Sequence, residues 1–276
     1  MRADLHTHTV CSDGALFPKD IVDWAVKEGV ELIAVTDHDA MQACDELCRL
    51  AEDSGITGVR GIEVSAYINR IKFHTLGYNV DKEKFKPFQD RLFLSSYERT
   101  LDIIDKLSKI GLSLTIDEID EVRYSKTAPY HAAHIGQTMV KKGYCKTEWE
   151  FFRKYLAYGK PAFSCIHRPT PEETCEAIVA AGGFAVVAHP ARISMEQDSL
   201  AAEIEKLKDH GLGGIEAYYS THTDEQTTYY KNLAKSLNLS VTGGSDTHAF
   251  DGGRGIGKPV FDADGELLEK LGVKKF

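Results

Sequence analysis

Residues 3–14 read ADLHTHTVCSDG, a short apolar strand that passes directly into a loop rich in histidine and aspartate. Residues two apart in an extended chain face the same side, so His6 and His8 can bind one cation together. Asp13 in the following loop can turn back toward a second cation. The stretch therefore predicts the first strand of a sheet with a metal site at its carboxyl end.

Apolar runs of this kind alternate with helical patterns along the chain. The runs predict seven strands: Ala3–Leu5, Leu32–Val35, Thr57–Gly61, Lys72–Gly77, Phe184–Ala188, Gly214–Tyr218 and Ser240–Thr242. Helices are predicted at Pro18–Gly29, 40–54, 171–182, 199–210 and 223–237. This alternation is typical of a parallel sheet covered by helices, and it predicts an α/β barrel.

The segment 81–170 breaks this alternation. Its apolar residues recur at helical spacing, and further helices are predicted at Ile135–Lys142 and Glu148–Leu156. We expect a helical insertion between the fourth and fifth strands, with residues 1–80 and 171–276 forming the barrel.

Composition limits the possible functions. The chain has 276 residues, about what a single barrel domain needs. Its net charge of −9 argues against a protein that coats duplex DNA. We find no run of 18 apolar residues and no signal-peptide pattern, so no membrane contact is expected. The six cysteines form no CxxC pair, which predicts reduced thiols in a cytoplasmic protein.

Histidines and carboxylates recur at the ends of the other strands. The groups concerned are Thr36-Asp37-His38-Asp39, Gly61-Ile62-Glu63, His74, Ala188-His189-Pro190 and Gly244-Ser245-Asp246-Thr247-His248. In a barrel these strand ends converge on one face. A cleft with so many charged groups would be costly to bury without cations, so we predict two or three divalent metal ions. The mixed nitrogen and oxygen donors favour Zn, Mn or Fe.

Taken in order, the motifs DLHTHT…SDG, TDHD, GIEVS, AHP and GGSDTH resemble the PHP (polymerase and histidinol phosphatase) family. The run His134-Ile135…Lys142-Gly143-Tyr144 and the run Tyr155-Leu156…Gly159-Lys160-Pro161-Ala162 are similar to the stand-alone PHP phosphoesterases that act on nucleotides and short RNA. This resemblance implies a distorted (βα)₇ TIM-like barrel.

The resemblance also implies three metal positions. The first would be held by His6, His8, Glu63 and Asp246. Glu63 would bridge to the second, which His74 and His189 complete. The third would be held by Asp13, His38 and His248, and its carboxylate favours Mn or Mg.

Catalytic and substrate residues are expected around these ions. The catalytic candidates are Glu63, His189 and Asp39, which could protonate the leaving oxygen or cap the following helix. Candidates for binding substrate are Arg60, Arg168, Arg192, His134, His167 and His222. Related enzymes commonly carry Arg-Pro before His134, where this chain has Ala132-Ala133, and His131 could compensate. Asp37 is expected to orient a metal-bound histidine. The glycine-rich run 252–257 precedes no predicted helix and is assigned no nucleotide role.

We expect a metal-dependent phosphoesterase that hydrolyses esters of a nucleotide or short oligonucleotide, with the insertion as a substrate cap. One alternative is a histidinol-phosphate-type small-molecule phosphatase. Another is a metal-stabilised binding module without turnover, which the full ligand set disfavours.

Overall fold

The computed structural model describes residues 1–164, 166, 168–250 and 253–273. Eight strands form one sheet within these residues. They are β1 (Arg2–Asp4), β2 (Leu32–Val35), β3 (Thr57–Ile68), β4 (Ile71–Tyr78), β5 (Phe184–Val187), β6 (Leu212–Tyr219), β7 (Ser240–Gly244) and β8 (Phe261–Asp262). Their order is β7-β6-β5-β4-β3-β2-β1-β8.

Ten α-helices accompany this sheet in the described part of the chain. They are α1 (Pro18–Lys27), α2 (Cys44–Asp53), α3 (Lys82–Ser108), α4 (Ile116–Val122), α5 (Ala132–Lys141), α6 (Glu148–Phe151), α7 (Pro171–Ala180), α8 (Gln197–Leu207), α9 (Asp224–Ser236) and α10 (Gly265–Lys270). A π-helical turn, Phe152–Leu156, continues α6. No described helix is both long enough and apolar enough to cross a membrane.

The two ends of the sheet meet, so the sheet closes almost completely. Beyond β1, the Leu5 N–H donates to the Gly243 carbonyl at 3.1 Å and the His8 N–H to the Thr247 carbonyl at 2.9 Å. These bonds bring the first and seventh strands side by side, as in a barrel. The predicted distorted TIM-like barrel is confirmed.

The fourth strand differs from the prediction, because it runs antiparallel to both β3 and β5. β3 and β4 form a hairpin whose two-residue turn, Asn69-Arg70, has φ values of 47° and 74°. Such a short turn can join only antiparallel neighbours. The sequence also did not indicate β8, which is two residues long and pairs antiparallel with β1.

Alternation along the strands divides the core into two layers. Ile33 and Val35 of β2 pack in the cluster that contacts the outer helices, whereas Leu32 and Ala34 belong to the cluster inside the barrel. Successive side chains of a strand point to opposite faces, so a strand buried on both faces is apolar throughout.

Segment 81–170 contains α3 to α6 and no described strand. Ile103 and Leu107 of α3, Ile119 of α4, Ile135 of α5 and Phe151 of α6 share a hydrophobic cluster separate from the two barrel layers. The helices therefore pack on one another beside the barrel.

Candidate active site

Nine histidine and carboxylate side chains meet at one end of the barrel, and they are the nine predicted metal ligands. Most follow the carboxyl ends of parallel strands, whereas His74 lies in the first half of β4. Because β4 runs antiparallel, its beginning lies at the same edge as the ends of its neighbours; His74 pairs with Ser65 of β3.

The first group contains His6, His8, Glu63 and Asp246, all buried. His6 Nε2 lies 3.2 Å from His8 Nε2 and 3.2 Å from Glu63 Oε2. His8 Nε2 lies 3.1 Å from Asp246 Oδ1. Ligand atoms about 2.1 Å from a tetrahedral ion are about 3.4 Å apart, so these spacings fit a single cation.

The second group is formed by Glu63, His74 and His189. Glu63 Oε1 lies 2.6 Å from His74 Nδ1 and 2.8 Å from His189 Nε2, and the two nitrogens are 3.2 Å apart. Glu63 thus directs one oxygen to each of two neighbouring groups. This is the arrangement required of a bridging carboxylate.

A third group brings Asp13 together with His8, His38 and His248. Asp13 Oδ1 lies 3.3 Å from His248 Nε2, and Asp13 Oδ2 lies 3.8 Å from His38 Nε2. His8 faces Asp13 with Nδ1 and the first group with Nε2. His38 likewise turns its Nδ1 to Glu63 Oε2 at 3.1 Å. The three groups are therefore contiguous.

Several buried atoms in these groups lack a hydrogen-bond partner among the described residues. They include Glu63 Oε2, His8 Nδ1 and His38 Nδ1. Glu63 Oε2 is within 3.2 Å of three imidazole nitrogens and is not aligned for a hydrogen bond with any of them. Buried polar atoms are normally paired, so this geometry fits coordination of a cation.

The protonation states agree with this fit. Burial lowers the pKa of His74 to about 3 and the pKa of His38 well below its usual value, so both rings are neutral. Burial opposes ionisation of Glu63, but the imidazoles of His38, His74 and His6 are protonated in acid and then hold the pKa of Glu63 well below the ordinary range. Burial also lowers the pKa of His8, yet Asp246 and Glu63 raise it to about 10. The carboxylates thus favour positive charge at His8, where a cation would lie.

An open cleft of about 450 Å³, which we call the metal cleft, lies above the three groups. Three cationic side chains line it together with the candidate ligands: Lys72, Arg192 and Arg254. Arg192 donates to Tyr219 Oη at 2.7 Å and lies 3.3 Å from Asp246 Oδ2, and Arg254 contacts the same oxygen. Positive charge above candidate metal-binding groups suits a phosphorylated ligand.

A family model described as the PHP domain matches residues 4–270. The chain belongs to the PHP domain family. It is 32% identical over 248 residues to a 5'-3' exoribonuclease of Haemophilus influenzae, covering 89% of each chain. It is 30% identical over 261 residues to a 3',5'-nucleoside bisphosphate phosphatase of Chromobacterium violaceum, covering 92% of this chain and 90% of that one.

A solved structure shares the fold of this chain. An amidohydrolase from Chromobacterium violaceum with bound sulfate and no metal has a TM-score of 0.85 and 28% identity. The match covers 98% of this chain and 97% of the other. The structural similarity therefore extends through segment 81–170 as well as the barrel.

Two buried carboxylates support this PHP site in ways that the sequence did not indicate. Glu216 of β6 binds His6 Nδ1 at 2.8 Å and accepts the backbone N–H of His189 at 2.7 Å. Asp4 accepts the backbone N–H groups of Ser245 and Gly257 at 2.9 and 2.8 Å. A charged residue inside an otherwise apolar strand was the available signal for Glu216.

The interpretation of Asp37 needs correction. Its carboxylate accepts the Thr9 N–H, the Thr9 hydroxyl and the Ser12 hydroxyl at 2.6–2.7 Å. It therefore holds the loop that carries Asp13, rather than orienting a histidine. Asp37 acts on the third group through the backbone of this loop.

Backbone geometry sets the direction of several site residues. Asp39, His189 and Asp246 have φ values of 56°, 29° and 55°. Non-glycine residues in this region cost about 1–3 kcal/mol each and concentrate at functional sites. A Cβ on Gly244 would lie 2.3 Å from His6 Cβ, so glycine permits the close approach of β7 to the first histidine.

The predicted arginines occupy different places. Arg192 lines the metal cleft as expected. Arg60 pairs with Asp45 at 2.9 Å on the exposed face of β3, away from the cleft. Arg168 lies 3.8 Å from Asp39 Oδ2 and faces a second cavity. Arg254 was missed because the glycine run around it had been excluded as a nucleotide loop.

Asp39 does not cap the following helix, because α2 begins at Cys44. Its Oδ1 accepts the Ser65 N–H at 2.8 Å. Burial raises the pKa of Asp39 to about 6, although Arg168 opposes the shift. A carboxyl group that lies beside the candidate metal ligands and is partly protonated near neutrality remains a candidate proton donor.

The predicted phosphate contact of His134 is not supported. His134 Nδ1 accepts the His131 N–H at 3.0 Å and Nε2 is 2.9 Å from the Ser12 carbonyl, so both nitrogens are engaged. Burial lowers its pKa to about 4. His222 binds the Ala217 carbonyl at 2.9 Å and lines a neighbouring cavity rather than the metal cleft. The predicted residue His167 lies outside the described residues.

Proposed function

We propose that the protein is a metal-dependent phosphoesterase that hydrolyses esters of nucleotides or short oligonucleotides. The observation that carries the proposal is Glu63, which directs its two oxygens to two adjacent ligand groups below a cleft lined by cations. The named activities of the two relatives, an exoribonuclease and a nucleoside bisphosphate phosphatase, support the same chemistry.

In this proposal the nine residues hold two or three divalent ions. His6, His8, Glu63 and Asp246 would hold the first; Glu63, His74 and His189 the second; and Asp13, His38 and His248 the third. We assign Mn, Fe or Zn to the first two positions, and Mn or Mg to the third. When bound, such ions act as Lewis acids that activate water and neutralise phosphoryl oxygens.

The protein's own side chains then have distinct tasks. Lys72, Arg192 and Arg254 bind the phosphate oxygens that face the open side of the cleft. Arg192 is 51% exposed at its side chain, so it is free to turn from Asp246 toward a ligand. Bidentate arginine contacts fix both the position and the orientation of a phosphate.

Asp39 is our candidate for the proton donor to the leaving oxygen. A catalytic acid works best when its pKa lies close to the working pH, and Asp39 is raised to about 6. His189 and Glu63 complete the catalytic set, because as ligands they would fix the position of the metal ions next to the cleft.

We propose segment 81–170 as the substrate cap. Two contacts tie it to the metal groups: His134 Nε2 binds the Ser12 carbonyl, and the His131 ring stacks on His38 at 5.0 Å. A cytoplasmic location is also part of the proposal; the five described cysteines are free thiols.

The test is a substrate panel with protein reconstituted in Mn²⁺. It contains AMP, adenosine 3′,5′-bisphosphate, a dinucleotide and histidinol phosphate. We expect release of phosphate or nucleotide from nucleotide substrates and much slower turnover of histidinol phosphate. A protein that binds at least two metal equivalents yet hydrolyses none of these esters would overturn the proposal.

A further inference from the structure

A second cavity, which we call the cap cavity, lies between the β3–β4 hairpin and the helices of segment 81–170. It is lined by Tyr67 and Arg70 from the hairpin, Arg99 from α3, Ala133 from α5 and Trp149 from α6, among others. Its volume is about 920 Å³, twice that of the metal cleft. Sites for small ligands span about 300–1,000 Å³, so the cap cavity lies at the upper end.

The cap cavity adjoins the metal cleft. Lys72 lines both. His131 lines the cap cavity, its Nδ1 lies 3.8 Å from Asp13 Oδ2, and its ring is stacked on His38 with an interplanar angle of 8°. A substrate held by its phosphate in the cleft could therefore extend into the cap cavity past Lys72 and His131.

The charge of the cap cavity suits an anion. Four cationic side chains line it: Arg70, Lys72, Arg99 and Arg168. Glu148 is the one carboxylate among its described lining residues. The protein as a whole has a net charge of −9, so this local excess of cationic groups does not follow from its overall composition.

Two of these arginines lie together. Arg99 and Arg168 both border a small recess that Asp39 also lines, where Arg168 is 3.8 Å from Asp39 Oδ2. Arg99 Nη2 donates to the Tyr130 carbonyl at 3.2 Å, and its buried Nε has no hydrogen-bond partner among the described residues. A buried guanidinium N–H without a partner is costly, and rotation of the Arg99 side chain, which lines the cap cavity, would let an anion there pair with it.

Aromatic side chains form much of the remaining wall. Tyr67, Trp149, Phe152, Tyr158 and Phe163 line the cap cavity. Trp149 is 69% exposed and Tyr158 67% exposed, which is unusual for such large rings. Exposed aromatic rings next to cationic groups are the typical platform for single-stranded nucleic acid, because each base can stack on a ring.

We infer that the cap cavity binds the nucleotide adjacent to the scissile phosphate, so the substrate is a single-stranded oligonucleotide of at least two nucleotides. Arg99 and Arg168 bind its phosphate, and the aromatic wall stacks its base. This inference rests on the proposed phosphoesterase function and narrows its substrate class. A nucleoside bisphosphate would use the arginines but leave most of the cap cavity empty.

The short side chains of Ala132 and Ala133 contribute to this volume, because both residues line the cap cavity at the start of α5. A larger side chain at Ala133 would fill the space in which the base is expected. It would leave Arg99, Arg168 and the metal ligands unchanged. Ala133→Trp therefore separates occupancy of the cap cavity from the charge of the arginines.

The first experiment compares 5′-phosphorylated oligoadenylates of one, two and four nucleotides with adenosine 3′,5′-bisphosphate. Base stacking adds about 5- to 150-fold to affinity. We expect kcat/KM to rise at least tenfold from one to two nucleotides. Ala133→Trp and the double variant Arg99→Gln/Arg168→Gln should each reduce the ratio of kcat/KM for two nucleotides to kcat/KM for one at least fivefold. The matched control Arg60→Gln, which removes an arginine outside the cap cavity, should retain it.

Equal kcat/KM for one and two nucleotides would overturn the inference. So would a preference for the bisphosphate that depends on Arg99 and Arg168 but is unaffected by Ala133→Trp. Thermal melts of each variant identify loss of folding. If a variant fails to fold, Arg168→Gln replaces the double arginine variant, and Trp149→Ala, which removes one ring of the aromatic wall, replaces Ala133→Trp.

A binding measurement distinguishes failure of this inference from failure of the proposed function. Fluorescence anisotropy with a 3′-fluorescein tetraadenylate in EDTA requires no turnover. We expect Arg99→Gln/Arg168→Gln to weaken binding at least tenfold and to lower the salt slope of log Kd by about 1.4, for two lost single-strand contacts. If the wild-type protein binds the tetraadenylate but does not hydrolyse it with Mn²⁺ present, only the phosphoesterase function is refuted. Hydrolysis with unchanged binding by the variant would refute only the cap-cavity assignment.

Discussion

The substitution Glu63→Asp tests the bridging role because it keeps the charge and shortens the side chain by one methylene. The carboxylate would withdraw by about the length of a carbon–carbon bond, 1.5 Å. In the structure Glu63 Oε1 lies 2.6 Å from His74 Nδ1, and Oε2 lies 3.1 Å from His38 Nδ1. The shortened side chain cannot preserve both contacts.

The backbone cannot move to compensate. The Glu63 N–H donates to the Asp37 carbonyl at 3.2 Å, and the Glu63 carbonyl accepts the Asp39 N–H at 2.8 Å. β3 is also paired with β4 on its other side. Misplacement of catalytic groups by about 1 Å costs on the order of a hundredfold, so we expect kcat to fall by at least that factor. This corresponds to about 2.7 kcal/mol in the activation barrier.

The assay combines steady-state kinetics on the preferred nucleotide with metal analysis of the reconstituted protein. Glu63→Asp should lose at least one metal equivalent or bind it more weakly, with an unfolding midpoint close to that of the wild type. Glu98→Asp, on the exposed side of α3, is the matched control and should behave as wild type. Wild-type kcat together with full metal content in Glu63→Asp would refute the bridging role.

Two further predictions concern residues that support the site. Glu216→Gln weakens the 2.8 Å contact with His6 Nδ1, so metal affinity should fall about 10- to 100-fold in a chelator competition; unchanged affinity would contradict this role. His134→Ala should lower the free energy of unfolding by about 1–3 kcal/mol at pH 7 and leave KM within threefold. Because burial lowers the pKa of His134 to about 4, its contribution to stability is lost as pH falls from about 6.5 toward 4. Chemical denaturation should therefore show the unfolding free energies of wild type and variant converging in that range. A tenfold rise in KM would contradict this structural role and support the predicted phosphate contact.

Much of the fold could be predicted because its signals are local. The apolar runs of β2 and β5 and the capped helices α7 and α9 have boundaries within two residues of those expected. The direction of β4 could not be predicted in this way. It depends on the Asn69-Arg70 turn, and the usual glycine signal for a two-residue hairpin is absent there.

The candidate ligands were accessible from sequence for the same reason, since each lies in a short motif within a strand or just after one. Supporting contacts were not, because they join distant parts of the chain. Glu216 meets His6 across 210 positions, and Arg254 reaches Asp246 from a loop without secondary structure. His134 was predicted to contact phosphate because the sequence gives no signal for its contact with the Ser12 carbonyl, which fixes the ring in the structure.

The most direct test of a multinuclear phosphoesterase is a titration of metal-free protein with Mn²⁺, following both bound metal and hydrolysis of the preferred nucleotide. We predict that activity rises to a plateau only when two to three equivalents are bound, and that EDTA abolishes it while the protein stays folded. Full activity with one equivalent or fewer, or activity that persists in EDTA, would contradict the account.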